Sequence, residues 1–307
     1  MSNHTTSKKS FWKRAAKQKY IILMTIPGLL VVFLFHYLPI YGVLIAFKKF
    51  SPKAGILSSP FVGLDNFKLF FSNPLAFQLL KNTFLMGFYN LLWSFPAPII
   101  LALLFNELQG RIFKKFTQTV SYFPHFISTV IVCGMVKAFS AREGLFNQIG
   151  AFFGAGATSF LLDPKYFRTL IIGSGIWQGV GFGSIIYLAA LSGVQQELLD
   201  AAAIDGANRF QRIRYINWPT IAPTTVILLI FAISGILGND FQKILLLYSP
   251  QTYSVADVIS TYTFREGIQN QKFEYSAAIG LFMSAMGFML VVITNWLSKK
   301  VSETSLW

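Results

Sequence analysis

Six long apolar stretches, 20–47, 83–107, 118–139, 167–192, 222–240 and 275–297, recur along this chain. Each is close to or above the roughly 20 residues that carry a helix across the hydrocarbon layer. The reading is an all-α polytopic membrane protein with six transmembrane helices. Composition agrees, because 54% hydrophobic residues against 12% charged leave too little polar surface to keep a soluble domain wet. The 32 Phe and 6 Trp exceed the needs of a soluble core and suit a membrane and its interfaces. The first stretch is read as a span rather than a cleaved leader. It is too long, and Pro27 and Pro39 are followed by more apolar sequence instead of a small-residue cleavage site.

An even number of spans puts both termini on one side, and the basic residues say which. Lys8, Lys9, Lys13, Arg14, Lys17 and Lys19 precede the first span; Arg111, Lys114 and Lys115 lie between the second and third. Arg209, Arg212 and Arg214 lie between the fourth and fifth, and Lys299 and Lys300 follow the last. The positive-inside rule makes these segments cytoplasmic, giving N-in and C-in. The first outer loop runs against the rule with Lys48, Lys49, Lys53, Lys68 and Lys81, yet the N-terminal run sets orientation. Spread through short loops in this way, the net charge of +14 describes topology and not a nucleic-acid surface. The outer segments 48–81 and 141–166 read as short interfacial helices, and 241–274 as a structured turn over a pore mouth. Lys137, near the end of the third stretch, is expected to snorkel outward.

The inner loop between the fourth and fifth spans has its own pattern. Leu198, Leu199, Ala201, Ala202 and Ile204 give a short helix its apolar face, and Gly206 permits a sharp turn. Phe210, Ile213 and Ile216 then recur on a second helix that also carries Arg209 and Arg212, and Pro219 and Pro223 suit the first turn of the next span. The expectation is a compact, partly apolar knob joined to a membrane helix, able to transmit a push.

The run Asp200-Ala201-Ala202, Asp205-Gly206-Ala207, Ile216 and Pro219 resembles the EAA loop of carbohydrate-uptake ABC permeases of the maltose-transporter type. Asp200 stands where Glu is usual, and Trp218 where Leu is common. The stretches 122–129, 173–177, 186–190 and 305–307 are similar to the LplB-like branch, so the resemblance covers nearly the whole chain. It implies a type I ABC importer permease fold. The domain is 20–297 with its coupling loop at 193–221, flanked by a basic segment 1–19 and a cytoplasmic tail 298–307. It also implies a second homologous permease as heterodimer partner, an ABC ATPase dimer that holds the ATP and Mg, an extracytoplasmic solute-binding protein and an oligosaccharide substrate, in a prokaryotic cytoplasmic membrane. The coupling residues would be Asp200, Ala201, Ala202, Asp205, Gly206, Ala207, Arg209, Phe210 and Ile213, with Asp200 meeting a basic residue of the ATPase.

Other chemistry finds little support. Asp200 and Asp205 point to different sides of a helical segment and make no catalytic pair. His4, His36 and His125 share no ligand spacing, Cys133 is the lone cysteine, and no Walker-type phosphate loop is present. No catalytic residue, metal site or resident cofactor is expected. Gly173, Gly175, Gly179, Gly181 and Gly183 lie inside the fourth apolar stretch, where small residues permit close packing and bending. They are expected to leave a hollow in which Trp177 stacks on a sugar ring and Gln178 exchanges hydrogen bonds with hydroxyls. The resemblance places a second substrate-contacting stretch on the fifth span, where Asn239 and Asp240 are polar at membrane depth. Trp177, Gln178, Gly179 and Asn239 form the expected path. A stand-alone secondary transporter is the alternative; it would want an intramembrane ion-site network, to which only Asp240 contributes.

Overall fold

A computed structural model describes residues 17–301. The basic run from Lys8 to Arg14, His4 and the closing segment 305–307 lie outside them. Among the described residues the chain is helical, with one isolated antiparallel bridge between Lys48 and Phe61 and no strand. Five helices are long and apolar enough to span a membrane: Lys19–Phe47, Ala76–Glu107, Pro164–Leu191, Arg209–Ser234 and Phe273–Lys300. The third span of the sequence reading, 118–139, is broken. Arg111–Phe126 and Thr129–Phe152 meet at 96°, so they count as a bent span or a re-entrant element.

The break has a local cause. Pro124 enters a 3₁₀ turn at Phe123–Phe126, Ile127 and Ser128 are extended, and the Ser128 hydroxyl caps the next helix by accepting from the Ile131 N–H at 3.4 Å. Before the break, Arg111–Tyr122 is strongly amphipathic. It presents Ile112, Phe113 and Phe116 outward beside Arg111, Lys114 and Lys115, a helix suited to lie along an interface.

The first span is exposed along its N-terminal half and packs only through its last turns, against the sixth. The outer segment 48–71 folds back over its end. Asn66 donates to the Ala46 and Lys48 carbonyls at 2.9 and 3.1 Å, and the Phe47 and Phe67 rings are 5.5 Å apart. The segment 141–166 holds the short helix Leu145–Phe152, as the sequence predicts, whereas 241–274, read as a structured turn, is a run of short helices that buried polar groups bolt to the bundle. Asn82 donates to the Ser254 and Asp257 carbonyls, each at 3.1 Å, and the Thr83 hydroxyl accepts from the Ile259 N–H at 2.9 Å. Above them Arg265 binds both carboxylate oxygens of Asp257 and lies over the Tyr253 and Tyr262 rings. Burial alone would lower the Arg265 pKa; the Asp257 contact overrides it and holds the guanidinium above its ordinary value.

Apolar contact divides along the bundle. Ile99, Ala102, Tyr187, Leu191 and Ile221 join the second, fourth and fifth spans, whereas Met86, Cys133, Phe167, Ile171 and Ile244 join the second and fourth to the helices Thr129–Ser140 and Phe241–Leu247. Gly181 lets the backbones meet: a Cβ there would stand 1.9 Å from the Ser121 carbonyl oxygen. The close packing expected of the glycine-rich run is found at this end, and at 173 and 179 open space.

Candidate functional site

Two regions are candidates for function, a capped loop at one end of the bundle and a polar cavity between the spans. The loop begins with the helix Gln196–Ile204, which stops at Gly206. Gly206 has φ +73°, the Gly206 N–H donates to the Ala203 carbonyl at 3.2 Å, and the Ala207 N–H donates to the Ala202 carbonyl at 2.8 Å. This pair of bonds is a Schellman motif, and it satisfies carbonyls that the helix end would otherwise leave open. Two residues on, Asn208 and Gln211 form a capping box: the Gln211 N–H donates to Asn208 Oδ1 at 2.9 Å and the Asn208 N–H to Gln211 Oε1 at 2.7 Å. One helix is stopped and the next started within four residues, which fixes the angle between them. Asn208 and Gln211 escaped the sequence reading; an N-cap residue followed by Gln three positions later was the available signal.

The second loop helix does not end where the sequence reading ends it. Arg209–Ser234 is one continuous helix, passing through a π turn at Ile213–Asn217 in which the Trp218 N–H reaches the Ile213 carbonyl. The π turn ahead of Pro219 takes up the register change that the missing prolyl donor imposes, so loop and fifth span form a single lever instead of two rods joined at a prolyl junction. The lever is anchored sideways. Glu107, at the end of the second span, lies 3.5 Å from Arg212 and accepts from Asn217 Nδ2 at 3.4 Å. Nothing in the sequence pattern pairs Glu107 with residues 105 and 110 positions further on.

Of the expected coupling residues, Asp200, Ala201, Asp205, Gly206, Arg209 and Phe210 are exposed, and Ala202, Ala207 and Ile213 are half-buried. Asp200 accepts from Gln196 Nε2 at 2.9 Å. Ile204 is 87% exposed and Phe210 69%, an apolar tip flanked by Asp200, Asp205 and Arg209, which is the composition of a contact surface and not of a solvated loop.

The cavity, about 640 Å³, lies between the second span, the break at 125–129, the fourth span and the segment 239–244. Gln178 faces it, donating to the Ile127 carbonyl at 2.9 Å and accepting from Lys243 Nζ at 3.3 Å. Gly179 and Asn239 line it too. Asn239 donates to the Thr83 carbonyl at 3.2 Å, while its buried Oδ1 has no partner. Asn90, Ser94, Ser128 and Thr129 add amide and hydroxyl groups, and His125, stacked on Phe182 at 3.9 Å, adds a ring face.

Two expectations need correction. Trp177 and Gln178 do not share a hollow: neighbouring helix residues point about 100° apart. Trp177 lines a separate, apolar cavity of about 480 Å³ with Met135, Phe139 and Leu170. Asn239 and Asp240 are not on the fifth span, which ends at Ser234; they lie in the turn beyond it, where Asp240 caps the helix Phe241–Leu247. Lys243 escaped the sequence reading; an Asp-x-x-Lys pair at helical spacing within an apolar segment was the available signal. Lys137 is exposed, in keeping with a snorkelling role.

The sequence profile of the binding-protein-dependent transport system inner membrane components matches residues 75–303. The chain belongs to that family. This permease is 41% identical over 305 residues to Protein LplB of Bacillus subtilis (strain 168), covering 99% of this chain and 96% of that one. It is 41% identical over 292 residues to the polygalacturonan/rhamnogalacturonan transport system permease protein YteP of the same organism, covering 95% and 91%. Its fold superposes with TM-score 0.88, at 36% identity, on a chain from the crystal structure of a bacterial ABC transporter involved in the import of the acidic polysaccharide alginate, covering 95% of this permease and 99% of that chain. A second structure of the bacterial alginate ABC transporter, in complex with alginate pentasaccharide-bound periplasmic protein, matches equally well at 0.88. The protein is thus an ABC importer permease, a membrane-embedded transport subunit and not itself an enzyme.

Proposed function

We propose that this permease imports an oligosaccharide or polysaccharide fragment through the polar cavity, driven by a separate ATPase dimer that grips the 193–221 loop. The observation that carries the reading is the continuous helix Arg209–Ser234, exposed at the loop and leading toward the cavity wall at Asn239. The amide and hydroxyl lining fits sugar hydroxyls, and the relatives named above are associated with polygalacturonan, rhamnogalacturonan and alginate.

In this account ATP and Mg sit on the ATPase. Closure of the ATPase dimer moves the tip at Ile204 and Phe210, the Schellman turn and capping box keep the two loop helices rigid, and Glu107 passes the movement to the second span. The loop must bind the two ATPase states with different affinity, since a lever gripped equally well in both would shift nothing. A second homologous permease completes the pathway and an extracytoplasmic binding protein delivers substrate, with both termini of this chain cytoplasmic in a prokaryotic membrane. The polar trio Gln178, Asp240 and Lys243 is the one observation among the described residues favouring a secondary transporter, yet that reading leaves the exposed loop without a task. Affinity purification of the tagged chain from its native membrane in mild detergent tests the assembly. A stoichiometric ATPase and a second permease are expected, and recovery of the chain as a homo-oligomer alone would refute it.

A further inference from the structure

A buried ammonium stands in the cavity wall with one hydrogen bond and one long ion pair. The Lys243 side chain is 3% exposed, and its Nζ donates to Gln178 Oε1 at 3.3 Å. The nearest carboxylate oxygen, Asp240 Oδ2, is 3.6 Å away, past hydrogen-bonding distance. The other oxygen of Asp240 is spent on the Lys243 backbone N–H at 3.1 Å, as a helix cap. An ammonium carries three donors, and one is in use here. Burying a charge costs free energy that only good pairing returns, and this pairing is incomplete. Gly175 faces Nζ, and a Cβ there would stand in ordinary contact with it at 3.6 Å. Among the described residues that line the cavity, Lys243 is the only Lys or Arg and Asp240 the only carboxylate.

A second observation points the same way. The outer segment 48–81 holds Lys48, Lys49, Lys53, Lys68 and Lys81 against Asp65 alone, a bias that topology does not explain. Lys48 is engaged by the Ile56 and Leu57 carbonyls and Lys68 by Asp65, but Lys49, Lys53 and Lys81 are exposed. A basic field of this kind raises the local concentration of an approaching anion.

We propose that Lys243 selects substrate charge, and that the oligosaccharide crossing this permease carries carboxylates, as a uronate chain does. The proposal rests on the oligosaccharide reading above. A substrate carboxylate takes the unspent N–H groups of Lys243, while Asn239 Oδ1 and Asp240 accept from ring hydroxyls. A neutral sugar leaves the ammonium half-paired.

The test uses the complete permease pair with its ATPase, purified in nanodiscs without the binding protein so that the cavity alone is read. Binding is measured calorimetrically for trigalacturonate and a mannuronate–guluronate trimer, for their methyl esters, and for neutral galactotriose. The expected result is at least about tenfold tighter binding of an acid than of its ester, the scale of one charge-assisted contact. The gap should close in Lys243→Gln and persist in Lys243→Arg. Equal affinity of acid and ester in the parental complex would overturn the proposal whatever the variants do, and so would a gap that survives in Lys243→Gln. Binding of neutral sugars alone refutes the charge selection and leaves the oligosaccharide reading standing. Binding of no saccharide refutes both.

Discussion

Replacing Gly206 separates backbone geometry from contact, because the structure leaves open space where a side chain would go. Nothing lies within 4 Å of the Cβ that a substitution would add, so no steric clash enters the reckoning. What remains is φ +73°, a left-handed conformation that costs an L-residue roughly 1–2 kcal/mol. If alanine bears the lower figure, the Schellman turn is populated about fivefold less relative to frayed alternatives; if valine bears the upper, about thirtyfold less. Asparagine enters this region more readily than either and should fall between glycine and alanine. The expected order of substrate-stimulated ATP hydrolysis by the reconstituted importer is Gly206, then Asn, Ala and Val, with membrane expression maintained because the loop is exposed. A fully active Gly206→Val variant, or an asparagine variant worse than valine, would refute the argument that turn geometry transmits the stroke.

Asp200→Lys should strip the ATPase from the purified complex while Asp200→Glu retains it; equal recovery from the two removes Asp200 from the interface. Glu107→Ala frees Arg212 and Asn217 from the second span, so ATP hydrolysis should persist while uptake drops several-fold, and an unchanged ratio of sugar moved to ATP consumed would show that the anchor transmits nothing. Gln178→Ala and Asn239→Ala should each weaken saccharide binding, by about 1 kcal/mol for one lost hydrogen bond. Trp177→Ala should leave it unchanged because its ring faces the apolar cavity. A Trp177 defect in saccharide binding equal to that of Gln178 would mean that the two cavities act as one.

Segment length and hydropathy made five of the six spans legible, because a bilayer allows a helix few ways to satisfy its backbone. In the third stretch the bend went unseen for a definite reason. A window averaged over 118–139 cannot see that Pro124 and the capping Ser128 divide it, although both residues announce a stop and a restart. The loop turn at Gly206 was legible because a positive φ asks for glycine, whereas the anchor at Glu107 joins positions more than a hundred residues apart and leaves no local trace. Of the residues lining the cavity, Gln178 and Gly179 were read from the glycine-rich run of the fourth span and Asn239 from polarity at membrane depth. Trp177 was grouped with Gln178 by sequence adjacency, which on a helix turns one of the two away. Lys243 went unread because its charge lies beyond the fifth span in a segment taken for an outer turn.

The most direct test of the account is uptake by proteoliposomes that hold this permease, its partner permease and the ATPase, with the solute-binding protein and labelled oligosaccharide outside. Vanadate-sensitive accumulation that needs ATP inside the vesicle, and is indifferent to collapse of the proton and sodium gradients, is the predicted result. Accumulation by this chain alone, driven by an ion gradient and unaffected by removal of the ATPase, would contradict it.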